Sequence, residues 1–385
     1  MGSERLSGTP NAGNGAEDVD VFGTVLRASG SPAPVRLPTG AMLATTLADA
    51  KTVLTNPSEF RLPHNVSRER TGAGGAERPR TTPLPAASIE LGRRVFDDEL
   101  KAAEQQLDDA GTGGRVDTLW FMRGPVARST TAALLPRADV DTRNHVGSLV
   151  LAWIDSLAPI IGAARSPRRW SKARRAERSS RTALVAALAE PTGDDPSALA
   201  ASLAAGVQVP VAAGAWCLTQ LAPRADLQQD IRSHPDLALG FVWEVLRLWP
   251  PTWLLPRITS GECHLGQTRL PAHAAVLVSP VALGRLPELV PGPAQGCAPL
   301  DEIDPSRWAN GNPRPGAWLP FGAGPHACPG RNLALAQLVR LVEWATMGFD
   351  LSSPAAPTAN VGRGLSPDPS DIRVMRRPVD DVAQP

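Results

Sequence analysis

The stretch Trp318-Leu319-Pro320-Phe321-Gly322-Ala323-Gly324-Pro325-His326-Ala327-Cys328-Pro329-Gly330-Arg331-Asn332 sets one cysteine among glycines and prolines, directly ahead of the apolar helical pattern LALAQLVRLVEWA. Gly322 and Gly324 permit a turn through positive φ and a close approach of backbone to a flat ligand. Pro329 suits the first helical position, where its missing N–H costs nothing. The amides of Gly330 and Arg331 then point toward the Cys328 sulfur, and the positive end of the helix favours its thiolate. Together these residues make a pocket for an anionic sulfur ligand. The other cysteines, Cys217, Cys263 and Cys297, are widely spaced and form no C-x-x-C pair. That spacing argues against a zinc site or a redox dithiol and suits a reducing, cytoplasmic compartment.

A lone Cys-x-Gly at a helix start is commonly a buried structural cysteine. Here Phe321, Gly324, Cys328 and Gly330 together satisfy F-x-x-G-x-x-x-C-x-G, and the stretch resembles the haem-binding loop of the cytochrome P450 family. Upstream, Glu244-Val245-Leu246-Arg247 places acid and base three apart on one helix face and resembles the family's E-x-x-R. It is followed by Leu248-Trp249-Pro250-Pro251 and then Arg257, like the family's helix exit and strand arginine. Asp304-Pro305-Ser306-Arg307-Trp308 resembles the segment whose arginine completes a structural Glu244/Arg247/Arg307 cluster.

The resemblance implies a mainly α fold with small β-sheets, and haem b (iron protoporphyrin IX) as cofactor. Cys328 would be the iron ligand, its thiolate donating electron density that favours O–O cleavage. Phe321, Gly322 and Gly330 would shape the loop against the haem. His326 and Arg257 would neutralise the propionates through charge-assisted hydrogen bonds. A further propionate partner is expected from an early helix, at Arg93 or Arg94. The family's usual histidine or tryptophan ahead of that arginine is absent, with Ser88 and Ile89 in the candidate places.

The pattern breaks on the helix expected beside the oxygen. Ala205-Gly206-Val207-Gln208-Val209-Pro210 aligns with the family's Ala-Gly-x-acid-Thr, in which the acid and the hydroxyl deliver protons. Gln208 has no titratable proton and Val209 has no hydroxyl. Pro210 lacks an N–H, so the Gly206 carbonyl loses its helical partner; the helix should kink there, and the freed carbonyl could hold a water or a substrate N–H or O–H. Protons would then come through ordered water or the substrate, or peroxide would be the oxidant, or two substrate radicals would couple without oxygen insertion.

Composition is compatible with this picture. With 385 residues, 42% hydrophobic, 20% charged and a formal net charge of +1, the chain can bury a large core and lacks the basic surface of a nucleic-acid binder. Tyrosine is absent, ten tryptophans are present, and lysine occurs only at Lys51, Lys101 and Lys172, features attributable to codon bias. Residues 1–17 are polar and glycine-rich and are expected to be disordered, with residues 18–385 forming one haem-binding domain. No apolar signal core or anchor occurs at the amino end, so a soluble, monomeric, cytoplasmic protein without a membrane partner is expected.

Along the chain, Val35–Thr46 reads as a hairpin turning at Pro38-Thr39-Gly40, Leu47–Leu54 as a helix, and 61–85 as a long, functional loop. Helical patterns dominate from Ser88 to about Trp249, and short strands return around 253–259, 264–270, 275–278 and 372–375. Ala198–Ala222 carries no Asp, Glu, Lys or Arg for 25 residues. Its alanine content and Gln208 and Gln220, and the lack of an accompanying segment, favour a buried central helix over a membrane span. The basic run 165–181 reads as a solvated helix face or loop.

The function expected from these residues is oxidation of a large apolar or aromatic small molecule, or a peptide or polyketide, by hydroxylation or oxidative coupling in bacterial specialised metabolism. A ferredoxin would supply electrons, docking near Arg93, Arg94 and Arg331. The alternatives are a peroxide-driven peroxygenase and a non-catalytic family member that partners another biosynthetic enzyme.

Overall fold

The computed structural model describes residues 20–63, 81–109, 114–161, 163, 167–189, 195–309, 314–354, 356–361 and 364–378. The segment 1–17 and most of the loop 61–85 lie outside the described residues. The first helix, α1 (Val21–Arg27), is capped by the Asp20 carboxylate, which accepts the Gly23 amide at 2.7 Å. The expected hairpin follows as β1 (Val35–Arg36) and β2 (Met42–Ala44), turning through Gly40 at φ +83°. Helix α2 (Leu47–Thr55) begins where the Thr46 hydroxyl accepts the Asp49 amide at 3.1 Å. Strand β3 (Phe60–Arg61) closes this part.

The helical half comprises α3 (Ala86–Asp109), the strand β4 (Gly114–Asp117), α4 (Thr118–Leu134), α5 (Val140–Ile161), α6 (Lys172–Leu188), α7 (Pro196–Leu221), α8 (Ala225–Ser233) and α9 (Leu237–Leu248). Sequence patterns located most of these. They missed α1 and α8; the latter is polar except for Leu227 and Ile231, four apart on one buried face. Strands β5 (Leu255–Thr259), β6 (Cys263–Leu265), β7 (Thr268–Leu270) and β8 (Ala275–Val278) come next, then the single turn α10 (Pro280–Leu283). The chain finishes with α11 (Arg331–Gly348), β9 (Phe349–Ser352), β10 (Thr358–Asn360), β11 (Ser366–Asp368) and β12 (Asp371–Arg376).

The sheets are small. One has the order β1-β2-β8-β5-β3, with β2 parallel to β8 and the other pairs antiparallel; a second has the order β4-β12-β9, and β6-β7 and β10-β11 are hairpins. The helices carry most of the core. α3, α4, α7 and α11 pack on one another, α5 and α6 cover α4 and α7, and α9 lies against α7 and α11.

Helix α7 is the central element. Asp195 caps it by accepting the Ser197 amide at 3.0 Å, and Pro196 occupies its first turn. Every residue from Pro210 to Leu221 is buried, and the indole of Trp216 donates to the Leu365 carbonyl at 3.0 Å while stacking on Trp249 at 5.2 Å. The lack of charge in this stretch is therefore that of an interior helix. A second helix, α5, is also long and apolar enough to cross a membrane, which the sequence reading did not register; its apolar side packs against α4, α6 and α7.

Candidate functional site

The cysteine loop leaves a 3-10 turn at Gly324–His326 and enters α11 three residues after Cys328. Its path needs three residues at positive φ: Leu319 at +62°, Gly322 at +68° and Gly324 at +69°. The two glycines are as expected. Leu319 is a bulky residue in the left-handed region, and its amide is held by the Gly316 carbonyl at 3.0 Å while its carbonyl accepts the Gly322 amide at 2.9 Å. Gly324 has a second reason to lack a side chain, since a Cβ there would lie 2.5 Å from the Leu54 carbonyl at the end of α2. Helix α11 starts at Arg331 with Gly330 as its cap, so Pro329 precedes the helix and does not occupy its first position.

The Cys328 amide donates to the Phe321 carbonyl at 2.9 Å, folding the loop back on itself. Its side chain is exposed although protein packs around it. Burial is the largest influence on the thiol and raises its pKa; the nearby Gly330 amide and the Arg331 charge act in the opposite direction without overcoming it. The helix start and the Arg331 charge thus favour the thiolate, as expected from sequence, while the packing around the sulfur opposes it.

Beneath the loop lies an aromatic platform. Trp243 of α9 meets Trp318 and Phe321 edge-on at 5.8 and 6.0 Å, and Trp308 packs on Trp318 at 5.1 Å. Each such pair contributes about 0.5–1.5 kcal/mol beyond the area it buries. Tryptophans that read as a compositional oddity thus fasten the loop to α9.

Glu244 of α9 is the polar centre of that platform. Its carboxylate accepts from Arg247 at 2.7 and 2.8 Å, Arg307 at 3.2 Å, the Trp308 indole at 2.9 Å and the Asp304 amide at 2.9 Å. The side chains of Glu244, Arg247 and Arg307 are wholly buried. The expected three-residue cluster is present, and Trp308 is a fourth member that sequence spacing did not suggest. Next to it, burial, followed by the Arg247 charge, depresses the Arg285 pKa to about 10.

Arg257 is buried on β5 and donates to the Pro256 carbonyl at 2.9 Å. His326 is half-buried in the turn before Cys328. Arg93 is a different case. Its guanidinium is engaged by Glu90 at 2.7 and 2.9 Å and by Asp97 at 2.7 Å, all on α3, ion pairs that a propionate would have to displace. Asp97 also binds Arg340 at 2.8 Å, and Arg340 binds Glu343. The face expected to be basic around Arg93 and Arg94 therefore carries interleaved charges of both signs.

On α7 the amino-terminal half shows an exposed stripe at Ala198, Ser202, Ala205 and Val209, spaced four, three and four, on a helix otherwise largely buried. Gln208 is half-exposed beside it. The stripe holds no titratable group. Gly206 faces elsewhere: its carbonyl, deprived of a helical donor by Pro210, accepts the Thr130 hydroxyl of α4 at 3.1 Å. The expectation that this carbonyl is free for water or substrate is therefore corrected. A Cβ on Gly206 would come 2.9 Å from Thr130 Cγ2, so the glycine is what lets α4 approach, and α7 continues unbroken through Pro210.

The donor set suits a haem. An exposed cysteine sulfur offers a single soft ligand, and among the described residues no group of three or more His, Cys, Asp or Glu could complete a metal site. The remaining coordination would come from the group itself, as in a porphyrin. A Cβ added at Gly330 would meet open space, leaving room against the loop for a flat ring.

The fold and this site define a cytochrome P450 architecture. CYP175A1 from Thermus thermophilus superposes with a TM-score of 0.72 at 20% identity, covering 93% of this chain and 95% of that one. A six-coordinated cytochrome P450, also from Thermus thermophilus, gives 0.68 at 20% identity over 93% and 98%. The family model for cytochrome P450 matches residues 216–358, a span that contains Glu244, Arg247, Arg257, Arg307 and Cys328 and begins beyond Pro210. In that span the chain is similar to the cytochrome P450 family, and its fold is that of the solved cytochrome P450 structures. Among its relatives, the cyclooctat-9-en-7-ol 5-monooxygenase of Streptomyces melanosporofaciens is 41% identical over 106 residues, 27% of this chain and 22% of that protein. The chain thus spans about a fifth of that relative's length.

Proposed function

We propose that this chain is a haem-thiolate oxidoreductase that oxidises a large apolar small molecule, with Cys328 as the axial ligand. The observation that carries this reading is the Cys328 sulfur, exposed at the end of a loop that three positive-φ residues shape and an aromatic platform supports. A bound haem would supply the electron transfer and oxygen chemistry. The protein's share is otherwise. Cys328 ligates, Gly330 sets its amide near the sulfur, Arg257 and His326 neutralise the propionates, and the stripe of Ala198, Ala205 and Val209 gives the substrate an apolar wall. The named monooxygenase relative supports a carbocyclic substrate; peptide and polyketide substrates share the same apolar character.

With Gln208 and Val209 in place of an acid and a threonine, the stretch 205–210 has no side chain that can pass a proton. Protons then come from ordered water or from the substrate, with a ferredoxin as electron donor. That stripe also favours a second reading, use of peroxide, which carries its own protons and electrons. Reduced protein treated with carbon monoxide is expected to give the thiolate-type difference spectrum, lost in Cys328→Ala; a spectrum unchanged by that substitution would overturn the proposal. Turnover with hydrogen peroxide compared against turnover with a ferredoxin, its reductase and NADPH separates the two oxidants.

A further inference from the structure

Of the ten tryptophans, Trp120 and Trp170 alone stand out into solvent, 75% and 71% exposed. Both lie where the start of α4, the end of α5 and the start of α6 come together. Arg123 of α4 binds Asp155 of α5 at 2.7 Å, and the Trp153 indole of α5 donates to Glu177 of α6 at 3.1 Å. Trp120 is three residues before Arg123, Trp170 seven before Glu177, and Ile161, also exposed, six beyond Asp155. Each is thus within about two turns, roughly 11 Å along a helix, of a contact that ties these helices together.

The same end is strongly basic. Residues 165–181 hold eight of the 39 Lys and Arg and one of the 38 Asp and Glu, in a chain whose net charge is only +1. Arg168, Arg169, Lys172 and Arg175 are exposed and Arg178 is half-exposed; among the described residues none of the five is paired with an acid. Glu177, the acid of this run, is buried and engaged by Arg181 and the Trp153 indole. The cations are gathered about Trp170: the guanidinium groups of Arg169 and Arg178 lie over its ring at 5.2 and 5.7 Å, and Arg175 donates to its carbonyl at 2.7 Å.

Projecting indoles ringed by cations have the chemistry of an anionic lipid–water interface. An indole is apolar in body and polar at its N–H, and settles at headgroup level. Clusters of roughly four to eight Lys and Arg on a helix are drawn to an anionic leaflet. The α5 and α6 helices are already packed on each other and on α7, so this end offers separate protruding side chains and not a groove for a protein segment.

We propose that the end of the bundle carrying Trp120, Ile161 and Trp170 is a peripheral docking surface for an anionic lipid bilayer, with Arg168, Arg169, Lys172, Arg175 and Arg178 facing the lipid phosphates. This departs from the expectation that the protein has no membrane partner. Docking itself is independent of the haem-thiolate reading. Only its consequence, an enzyme held at the phase into which a large apolar substrate partitions, rests on that reading.

The experiment is flotation of the full chain with vesicles of phosphatidylcholine alone or mixed equally with phosphatidylglycerol, together with quenching of tryptophan fluorescence by brominated phosphatidylglycerol. The wild type is expected to float only with the mixed vesicles, less as salt is raised, and to be quenched. Each cation at the surface contributes about fivefold, so Arg168→Gln/Lys172→Gln weakens binding about 25-fold, whereas Arg36→Gln/Lys51→Gln, exposed cations elsewhere, leaves it unchanged. Trp120→Phe/Trp170→Phe keeps apolar rings at both places and loses most of the quenching. A wild type that does not float with the mixed vesicles, or binding that Arg168→Gln/Lys172→Gln leaves unchanged, would overturn the proposal. Flotation without quenching, alongside equally tight binding of poly-L-glutamate, would overturn it in favour of an acidic protein partner.

Discussion

Replacing Glu244 by alanine tests what holds the cysteine loop on its platform. One carboxylate accepts five hydrogen bonds, three of them from two guanidinium groups that have no exposed side-chain surface. Removing one partner of a buried ion pair costs about 3–5 kcal/mol because the other charge stays buried. The arginines retain carbonyl partners: Arg247 donates to Gly284 and Glu302 at 3.1 and 3.0 Å, and Arg307 to Ala298 at 3.1 Å. These satisfy N–H groups without neutralising charge, which pulls the loss toward the lower end. The Trp308 indole and the Asp304 amide are also left without this acceptor, at about 1–3 kcal/mol each if no water replaces it. A net loss of about 4 kcal/mol follows, a large part of the roughly 5–15 kcal/mol that holds a typical protein folded and close to a thousandfold in the unfolding equilibrium. Urea denaturation followed by circular dichroism measures it, with Glu244→Gln expected in between, since its amide keeps one acceptor but sets a donor against the guanidinium groups. A loss below about 1 kcal/mol in Glu244→Ala would refute the argument that this carboxylate is the electrostatic centre of the site.

Two further outcomes follow from the packing. Thr130→Val should destabilise the protein by about 1–3 kcal/mol by orphaning the Gly206 carbonyl, whereas in a Pro210→Ala background the new N–H at position 210 should make the same change nearly silent; a double-mutant cycle in denaturant measures the coupling. Gly324→Ala should cost at least ~1–2 kcal/mol for its left-handed backbone alone, with more from the contact with Leu54, and should impair haem uptake. Gly330→Ala, at φ −91° with open space around it, should leave the stability of the haem-free protein nearly unchanged while weakening haem binding, as read by thermal melts and haem titration.

Features written over one or two helical turns were legible in the sequence. Glu244 and Arg247 are three apart, Gly322 and Gly324 fall within one turn of a loop, and α7 announces itself by 25 uncharged positions. Features made by residues far apart were not. Thr130 meets Gly206 across 76 residues, and Thr81 meets Ala327 across 246; neither contact leaves a periodic trace. Trp308 bonding to Glu244 is of the same kind. The ion pairs of Arg93 were legible too, because Glu90 and Asp97 stand three before and four after it, the spacing at which side chains on a helix meet. The packing around the Cys328 sulfur, which opposes the effect of the helix start, is likewise made by residues the local motif does not show.

The altered stretch of α7 is internally consistent, which bears on how its departure from the family pattern is understood. A proline inside a helix costs about 3 kcal/mol or more when nothing compensates it. Here Gly206 admits α4 and Thr130 supplies a hydrogen bond to the very carbonyl that Pro210 leaves without one. The orphaned group is therefore satisfied inside the protein and does not reach the exposed stripe, where only Ala198, Ser202, Ala205 and Val209 stand. Ser202 itself donates to the Ala198 carbonyl at 3.0 Å, so its hydrogen is already engaged. The wall that α7 offers is thus largely apolar by construction and holds no titratable side chain. A helix that had merely lost its acid and hydroxyl by drift would not require Gly206, Pro210 and a partner on α4 to fit together.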